Sequence, residues 1–218
     1  MTKTARPKTA ASAEEHADFR RAARGFIPRT VIANQVGGHL ALDFCNTAGE
    51  HLANKPDELL LDWESFLRWA TQVALIGPES YVELLGHPEP LDEILQLREA
   101  VYRAGLAIAG ARQLSNPDVD LIRKRADAPH PAIEFHGNVG RWCPAPSHVS
   151  EQLGGVLATE ALSLFCSPRA VRVRVCEGGN CGWLFLDESR GKRRRWCDMN
   201  DCGSRAKARR YYEKHKES

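Results

Sequence analysis

Apolar and polar positions along the chain follow two rhythms, one near two residues and one near 3.6. His39-Leu-Ala-Leu-Asp-Phe-Cys45, just after Gly37-Gly38, alternates well enough to predict a short strand that ends at Asn46-Thr47. Asp62 then reads as an N-cap for a helix carrying Trp63, Phe66, Leu67, Ala70, Val73 and Ala74 on one face. Gly77-Pro78 stops it, and a shorter helix runs to about Leu85 before the rigid His87-Pro-Glu-Pro90 break. Leu91, Ile94, Leu95, Leu97, Val101, Tyr102, Leu106 and Ile108 predict a long helix over about 91–113, with Gly105 and Gly110 as weak points. Asn116-Pro117 supplies a cap and a first-turn proline for a helix to about Ala126. Ala132–Phe135 and Val139–Trp142, separated by His136-Gly-Asn138, predict a hairpin. A helix from about Ser147 to Phe165 follows, and Ser167-Pro168 marks a boundary.

Beyond that boundary the rhythm shortens again. Val171, Val173 and Val175 alternate with Arg172 and Arg174, Trp183–Asp187 reads as a second strand, and Arg193–Cys197 as its returning partner. A polar helix begins near Ser204. The fold class expected is α+β. A mostly helical domain over 29–167, with a short strand and a hairpin, precedes a small module over 168–218. Met1–Pro28 is basic, Ala-rich and polar, and reads as a flexible arm with a helix from about Ala13 to Arg24. It has no apolar stretch of the signal-peptide kind, so a reducing, cytoplasmic setting is expected for the seven cysteines. No stretch has the ~18 apolar residues of a membrane span.

The formal net charge of +2 conceals an uneven distribution. From Arg190 to Ser218 there are eleven Lys/Arg against four Asp/Glu, which leaves the rest of the chain acidic. A basic end on an acidic body points to an anionic partner.

The cysteines of that end follow the pattern C-x4-C-x15-C-x4-C, through Cys176, Cys181, Cys197 and Cys202. Four thiolates suit tetrahedral zinc, and two pairs separated by a hairpin let a short chain build a site without a large core. Gly178 and Gly179 let the chain between the first pair curl so that both sulfurs face one centre. Residues five apart on a regular helix differ in direction by about 140°. Cys197 and Cys202 therefore cannot both lie in one helix, and one is expected on the turn leading into it, as in a treble clef. A segment this short, with few large apolar groups, rarely folds without a staple. Structural zinc contributes on the order of 10 kcal/mol or more to such modules. Because all four ligands are protein thiolates, no coordination position is open for catalysis. Ordinary thiols, a redox pair and an iron–sulfur cluster are the alternatives.

At these residues the sequence resembles the CGNR-type zinc-finger proteins of bacteria. The matching stretches are Cys176-x4-Cys181-Gly-Trp-Leu-Phe-Leu-Asp-Glu-Ser-Arg190 and Arg194-Arg-Trp-Cys-Asp-Met-Asn-Asp-Cys-Gly-Ser-Arg-Ala-Lys207. Ser204 stands where the family's naming tetrad has Asn. Residues 37–165, through Gly37-Gly-His-Leu-Ala-Leu-Asp-Phe-Cys-Asn-Thr47 and the Trp63/Trp69 helix, resemble the ABATE domain usually fused to that finger. The resemblance implies one structural zinc ion and a stress-induced transcriptional regulator.

For nucleic acid, the candidate contacts are Arg193, Arg194 and Arg195 on the predicted hairpin and Arg205, Lys207, Arg209 and Arg210 on the terminal helix. Arg205 and Arg209 form an i,i+4 stripe, and such density suits phosphate contact and DNA as partner. The competing reading is a solvated basic face. Trp196 is expected in the core of that hairpin, and Tyr211 and Tyr212 to pack their helix against the molecule. In the body, Asp43, Asn46 and Thr47 are candidates for a small-molecule effector pocket, with Arg98 or Arg103. The competing reading makes them turn formers and caps. Cys45, Cys143 and Cys166 are expected to be buried thiols. No Ser/His/Asp triad, phosphate-binding glycine loop or HExxH motif appears, so the protein is expected not to be an enzyme. Two other classes stay open: an enzyme or small-molecule binder whose zinc finger is only structural, and a finger serving protein interaction or a homodimer.

Overall fold

The computed structural model of the chain describes residues 32–216. The arm at 1–28, with its expected helix from Ala13 to Arg24, lies outside them. The elements in order are α1 (Leu40–Cys45), β1 (Ala48–Gly49), β2 (Asp57–Glu58), α2 (Trp63–Gln72), α3 (Pro78–Leu85), α4 (Asp92–Ile108), α5 (Asn116–Ala126), β3 (Ala132–His136), β4 (Val139–Cys143), α6 (Val149–Phe165), β5 (Val173–Val175), β6 (Leu184–Leu186), a π turn (Met199–Gly203) and α7 (Ser204–Lys216). The α+β class holds: the first part is helix-rich with short antiparallel pairs, and a small four-cysteine finger follows.

Most elements lie where periodicity puts them. Asp62 caps α2 through the Ser65 N–H, and Ser65 returns a hydroxyl to the Asp62 N–H in a reciprocal capping box. Helix α4 ends five residues before Gln113, because Gly110 adopts φ +76 and turns the chain out. The hairpin has the register Ala132↔Cys143 through His136↔Val139, and Trp142 bridges to Ile76.

The expected first strand is instead a helix. Residues 41, 42, 44 and 45 of α1 are buried together, a set with the spacing of a helix face and not of alternation. Leu40 supplied the apparent alternation but is only partly buried. The side chain of His39 accepts the Ala41 N–H and starts the turn.

The core joins α1, α2, α4 and α6 around Leu42, Phe44, Phe66, Trp69, Leu97, Val101, Leu153 and Leu157. It does not stop at the Ser167-Pro168 boundary. Val173, Leu184 and Leu186 of β5 and β6 belong to the same apolar cluster. A side chain at Gly105 would stand 2.5 Å from Leu184 Cδ1, so this glycine of α4 is the seat for β6. Glycine there costs helix propensity but permits the contact.

The pairing within the finger also differs from expectation. Strand β6 pairs with β5, through Val173↔Leu186, Arg174↔Phe185 and Val175↔Leu184. Arg193–Cys197 forms no strand, because its backbone groups have other partners. The Arg194 N–H goes to the Asp187 carboxylate, the Arg195 carbonyl accepts from Glu177, and the Cys197 N–H points at Cys176 Sγ.

Of the three cysteines outside the finger, only Cys45 is fully buried; Cys143 is half-buried and Cys166 exposed. Cys166 terminates α6, where the helix end meets solvent. No helix among the described residues is long and apolar enough to cross a membrane.

Candidate metal centre

The sulfurs of Cys176, Cys181, Cys197 and Cys202 lie within 4.8 Å of one another, and all four residues are buried. Cys181 and Cys197 are 3.7 Å apart, as are Cys197 and Cys202. A tetrahedron of sulfurs about 2.3 Å from a central ion has edges of about 3.8 Å. The spacing therefore fits a single tetrahedral ion, and it far exceeds the roughly 2.05 Å of a disulfide.

Local sequence explains how each sulfur arrives. Cys176 follows β5, and its N–H donates to the Trp183 carbonyl at 2.8 Å, which closes the first knuckle. A Cβ on Gly178 would fall 2.7 Å from Cys202 Sγ and 3.2 Å from Cys176 Sγ, so only glycine leaves room for the sulfur cluster. Gly179 turns with φ +71. Cys202 lies in the π turn, where the Gly203 N–H reaches back five residues to the Asp198 carbonyl. That wide turn lets Cys202 face the same centre as Cys197, which lies outside it. Ser204 closes the turn with a hydroxyl donated to Met199 O.

Charge is matched as well. Hydrogen bonds from the Cys181 and Cys197 thiols hold the Cys176 thiol far below its ordinary value. The Cys176 thiolate in turn pushes Cys181 up to about 12 and raises Cys197. Like charges this close resist ionising together, so four thiolates coexist only against a cation, and binding one releases protons. Arg205 donates to Cys202 Sγ at 3.1 Å while touching Asp201, which places a positive charge beside the sulfurs. When bound, a zinc ion here supplies cross-linking, since four protein thiolates leave it no open position.

The basic residues divide into two groups. Arg194 is an internal brace: it lies 4.6 Å over the Phe185 ring and donates to the carbonyls of Trp196 and Cys197. Arg195 pairs with Glu177 at 2.5 Å, and Arg209 packs its guanidinium over Gly179. With Arg205, these residues serve the finger itself. Arg193, Lys207 and Arg210 are exposed and form no ion pair with a described residue. Trp196 is partly buried against the sulfur cluster and not in the core of a hairpin, since Arg193–Cys197 forms no strand. Tyr211 and Tyr212 do not pack against the body: they are 60% and 72% exposed, and Tyr211 stacks on His215. Helix α7 has no buried residue at all, so no described residue covers them.

The proposed effector pocket is a seam. Asn46 is buried, donates Nδ2 to the Leu184 carbonyl at 2.9 Å, and accepts the Leu184 N–H at 3.0 Å. Thr47 is buried and gives its hydroxyl to Phe44 O. Asp43 accepts the Gly37 N–H at 2.8 Å, and burial pushes its carboxyl up to about 6. The polar atoms that would contact a ligand are thus engaged by the fold. Arg98, likewise buried, forms a two-pronged pair with Glu58, each arm 2.7 Å. Arg103 pairs with Asp118 and lines a separate open groove of about 520 Å³ with Asp92, Gln96 and Glu99.

Sequence reading missed the remainder of this seam. The backbone N–H groups of His51 and Leu52 donate to Cys181 and Asn180, and the Trp183 indole donates to Ala48 O. Tyr102 donates its hydroxyl to Gly182 O, and His51 stacks on the Tyr102 ring. Gly182 sits at φ +65, with Leu52 and Tyr102 where a Cβ would go. The only advance signal was the run of polar residues after the first apolar segment, which also suits a ligand loop.

A family model for the ABATE domain, described as "Putative stress-induced transcription regulator", matches residues 38–168, more than half of the chain. The chain belongs to the ABATE family. A second model, the CGNR zinc finger, matches residues 172–215 and so contains all four cysteines. The ABATE segment's opening residues are therefore the ones that clasp the finger. No curated protein matches the chain.

Proposed function

We propose that this ABATE protein is a non-enzymatic transcriptional regulator that binds duplex DNA through α7 and the Arg193 turn, with one zinc ion holding that surface in shape. The observation that carries the reading is the state of α7. It is 13 residues long with no buried side chain and carries Arg205, Lys207, Arg209, Arg210, Lys214 and Lys216 against Glu213 alone. A helix polar on every side has no core to stabilise it and suits an external partner. At 100° per residue, Lys207, Arg210 and Lys214 fall within about 60° of one another, roughly opposite Arg205 and Arg209. The side turned toward the metal is occupied, and the outward side is cationic. Its length, about 20 Å, and its exposed circumference suit a major groove about 12 Å wide.

The test is a DNA-shift titration of the full chain at several salt concentrations. Each phosphate contact contributes about 0.9 to the log–log salt slope. Lys207→Ala/Arg210→Ala/Lys214→Ala is therefore expected to lower the slope by about 2 to 3, with metal content unchanged. If wild type binds no duplex at low salt, or the folded triple variant binds equally well, the reading fails. For an effector, the groove beside Arg103 is a better candidate than Asn46 and Thr47, whose polar atoms have protein partners.

A further inference from the structure

The two cysteine pairs are attached to the molecule unequally. The first knuckle is held by the body: Asn180 and Cys181 receive backbone hydrogen bonds from Leu52 and His51, Gly182 receives the Tyr102 hydroxyl, and Leu184 is clasped by Asn46. Strands β5 and β6 on either side lie in the main core. The second half differs. Among the described residues, the hydrogen bonds and ion pairs of 198–216 close within the stretch 197–216. They include Asn200 to Asp198, Gly203 to Asp198, Ser204 to Met199, Arg205 to Asp201 and Cys202, and His215 to Tyr211. The contacts that cross to the rest of the chain include the sulfur cluster with the apolar groups packed on it, Gly203 against Trp196, and Arg209 over Gly179, and none of them is a backbone hydrogen bond among the described residues.

We infer that the metal is a latch: it holds residues 198–216, α7 included, on a body that is folded without it. This goes beyond the DNA reading and does not depend on it, since it rests only on the sulfur cluster and the hydrogen-bond pattern. The physical reasoning is direct. A 13-residue helix is marginal in water by itself, and this one has no apolar face to bury. With the sulfur link gone, no hydrogen bond ties the segment down, and the order of the backbone is lost. The first knuckle keeps its seam and its place in the core, so it stays. Presence of the metal would then switch the basic helix between a fixed and a disordered state, leaving the body as it was.

Hydrogen exchange on the full chain, with metal and after removal by a chelator under reductant, reads this out. Loss of amide protection confined to about 198–216, with α1, α4, β5 and β6 unchanged, is the expected result, and added zinc restores the protection. Cys202→Ser gives a second route with the same expected pattern and no chelator. Two results overturn the latch: protection lost throughout the body on metal removal, or α7 amides as protected without metal as with it. Because exchange is measured without nucleic acid, a failure here is distinct from a failure to bind DNA.

Discussion

Cys176/Cys181 and Cys197/Cys202 have the same spacing and meet at one site, yet the two pairs are built by different means. The first pair is an outgrowth of the helical body, fixed by a hydrogen-bonded seam and by strands that share the body's core. The second pair shares the first pair's buried cluster around Phe185 but leads into a helix that has no buried side chain. Comparing them shows that equal spacing of ligands says nothing about what supports each ligand. Strands in the main core support one half, and on the latch inference coordination supports the other. The apolar core therefore continues across the boundary legible in the sequence.

The strongest way to break this comparison is to weaken the body and ask whether the finger survives. Trp69 is fully buried and lies 5.4 Å from the Phe44 ring. Trp69→Ala is expected to cost about 3 to 5 kcal/mol, measured by urea unfolding with metal present, and the first knuckle should lose its amide protection along with the core. A finger that kept its protection after the body had unfolded would show the first knuckle to be self-supporting.

Asn46→Ala sharpens the comparison at the seam. It strands the Leu184 N–H and carbonyl, each at about 1 to 3 kcal/mol when buried without a partner. A loss of about 2 to 4 kcal/mol is expected, with faster metal transfer to a colorimetric chelator. Stability within about 0.5 kcal/mol of wild type, the range of neutral surface changes, would remove Asn46 from the clasp.

The smallest effect concerns pH. Burial raises the Asp43 carboxyl from 3.8 to about 6. Between about pH 4 and 6 the folded state keeps a proton that the unfolded chain releases, so this group's contribution makes stability fall as pH rises through that window. Asp43→Asn keeps an acceptor for the Gly37 N–H and removes the titration. Its melting temperature relative to wild type is expected to increase from pH 4 to pH 7. A constant difference between the two proteins would mean that Asp43 does not titrate in that window.

Much of this was legible beforehand because it depends on local rules. The Asp62 cap, the proline at the start of α5, the hairpin and the polar helix near Ser204 each follow from a few neighbouring residues. The cysteine quartet was legible because thiolate chemistry admits few uses for four sulfurs in so small a segment. Residues 39–45 misled because seven residues fit either period, and only the neighbours on both sides of Ala41, Leu42, Phe44 and Cys45 show which one buries them. The basic residues could not be told apart in sequence for a related reason. Arg194 and Lys207 are alike in sequence, but Phe185 and the Cys197 carbonyl surround the first, while the second projects into water.

The sequence alone determined the helical periodicity, the metal-binding quartet and the concentration of positive charge at one end, since each depends on residue type and short spacing. Tertiary structure decided which arginines are spent inside the finger and that Asn46 and Thr47 form a seam. It also decided that only the first cysteine pair is flanked by strands of the main core. Those facts depend on tertiary contacts, from Arg194 over Phe185 within the finger to Asn46 with Leu184, more than a hundred positions apart. No local pattern encodes such a contact, because a polar side chain looks the same in sequence whether it meets a ligand or its own backbone.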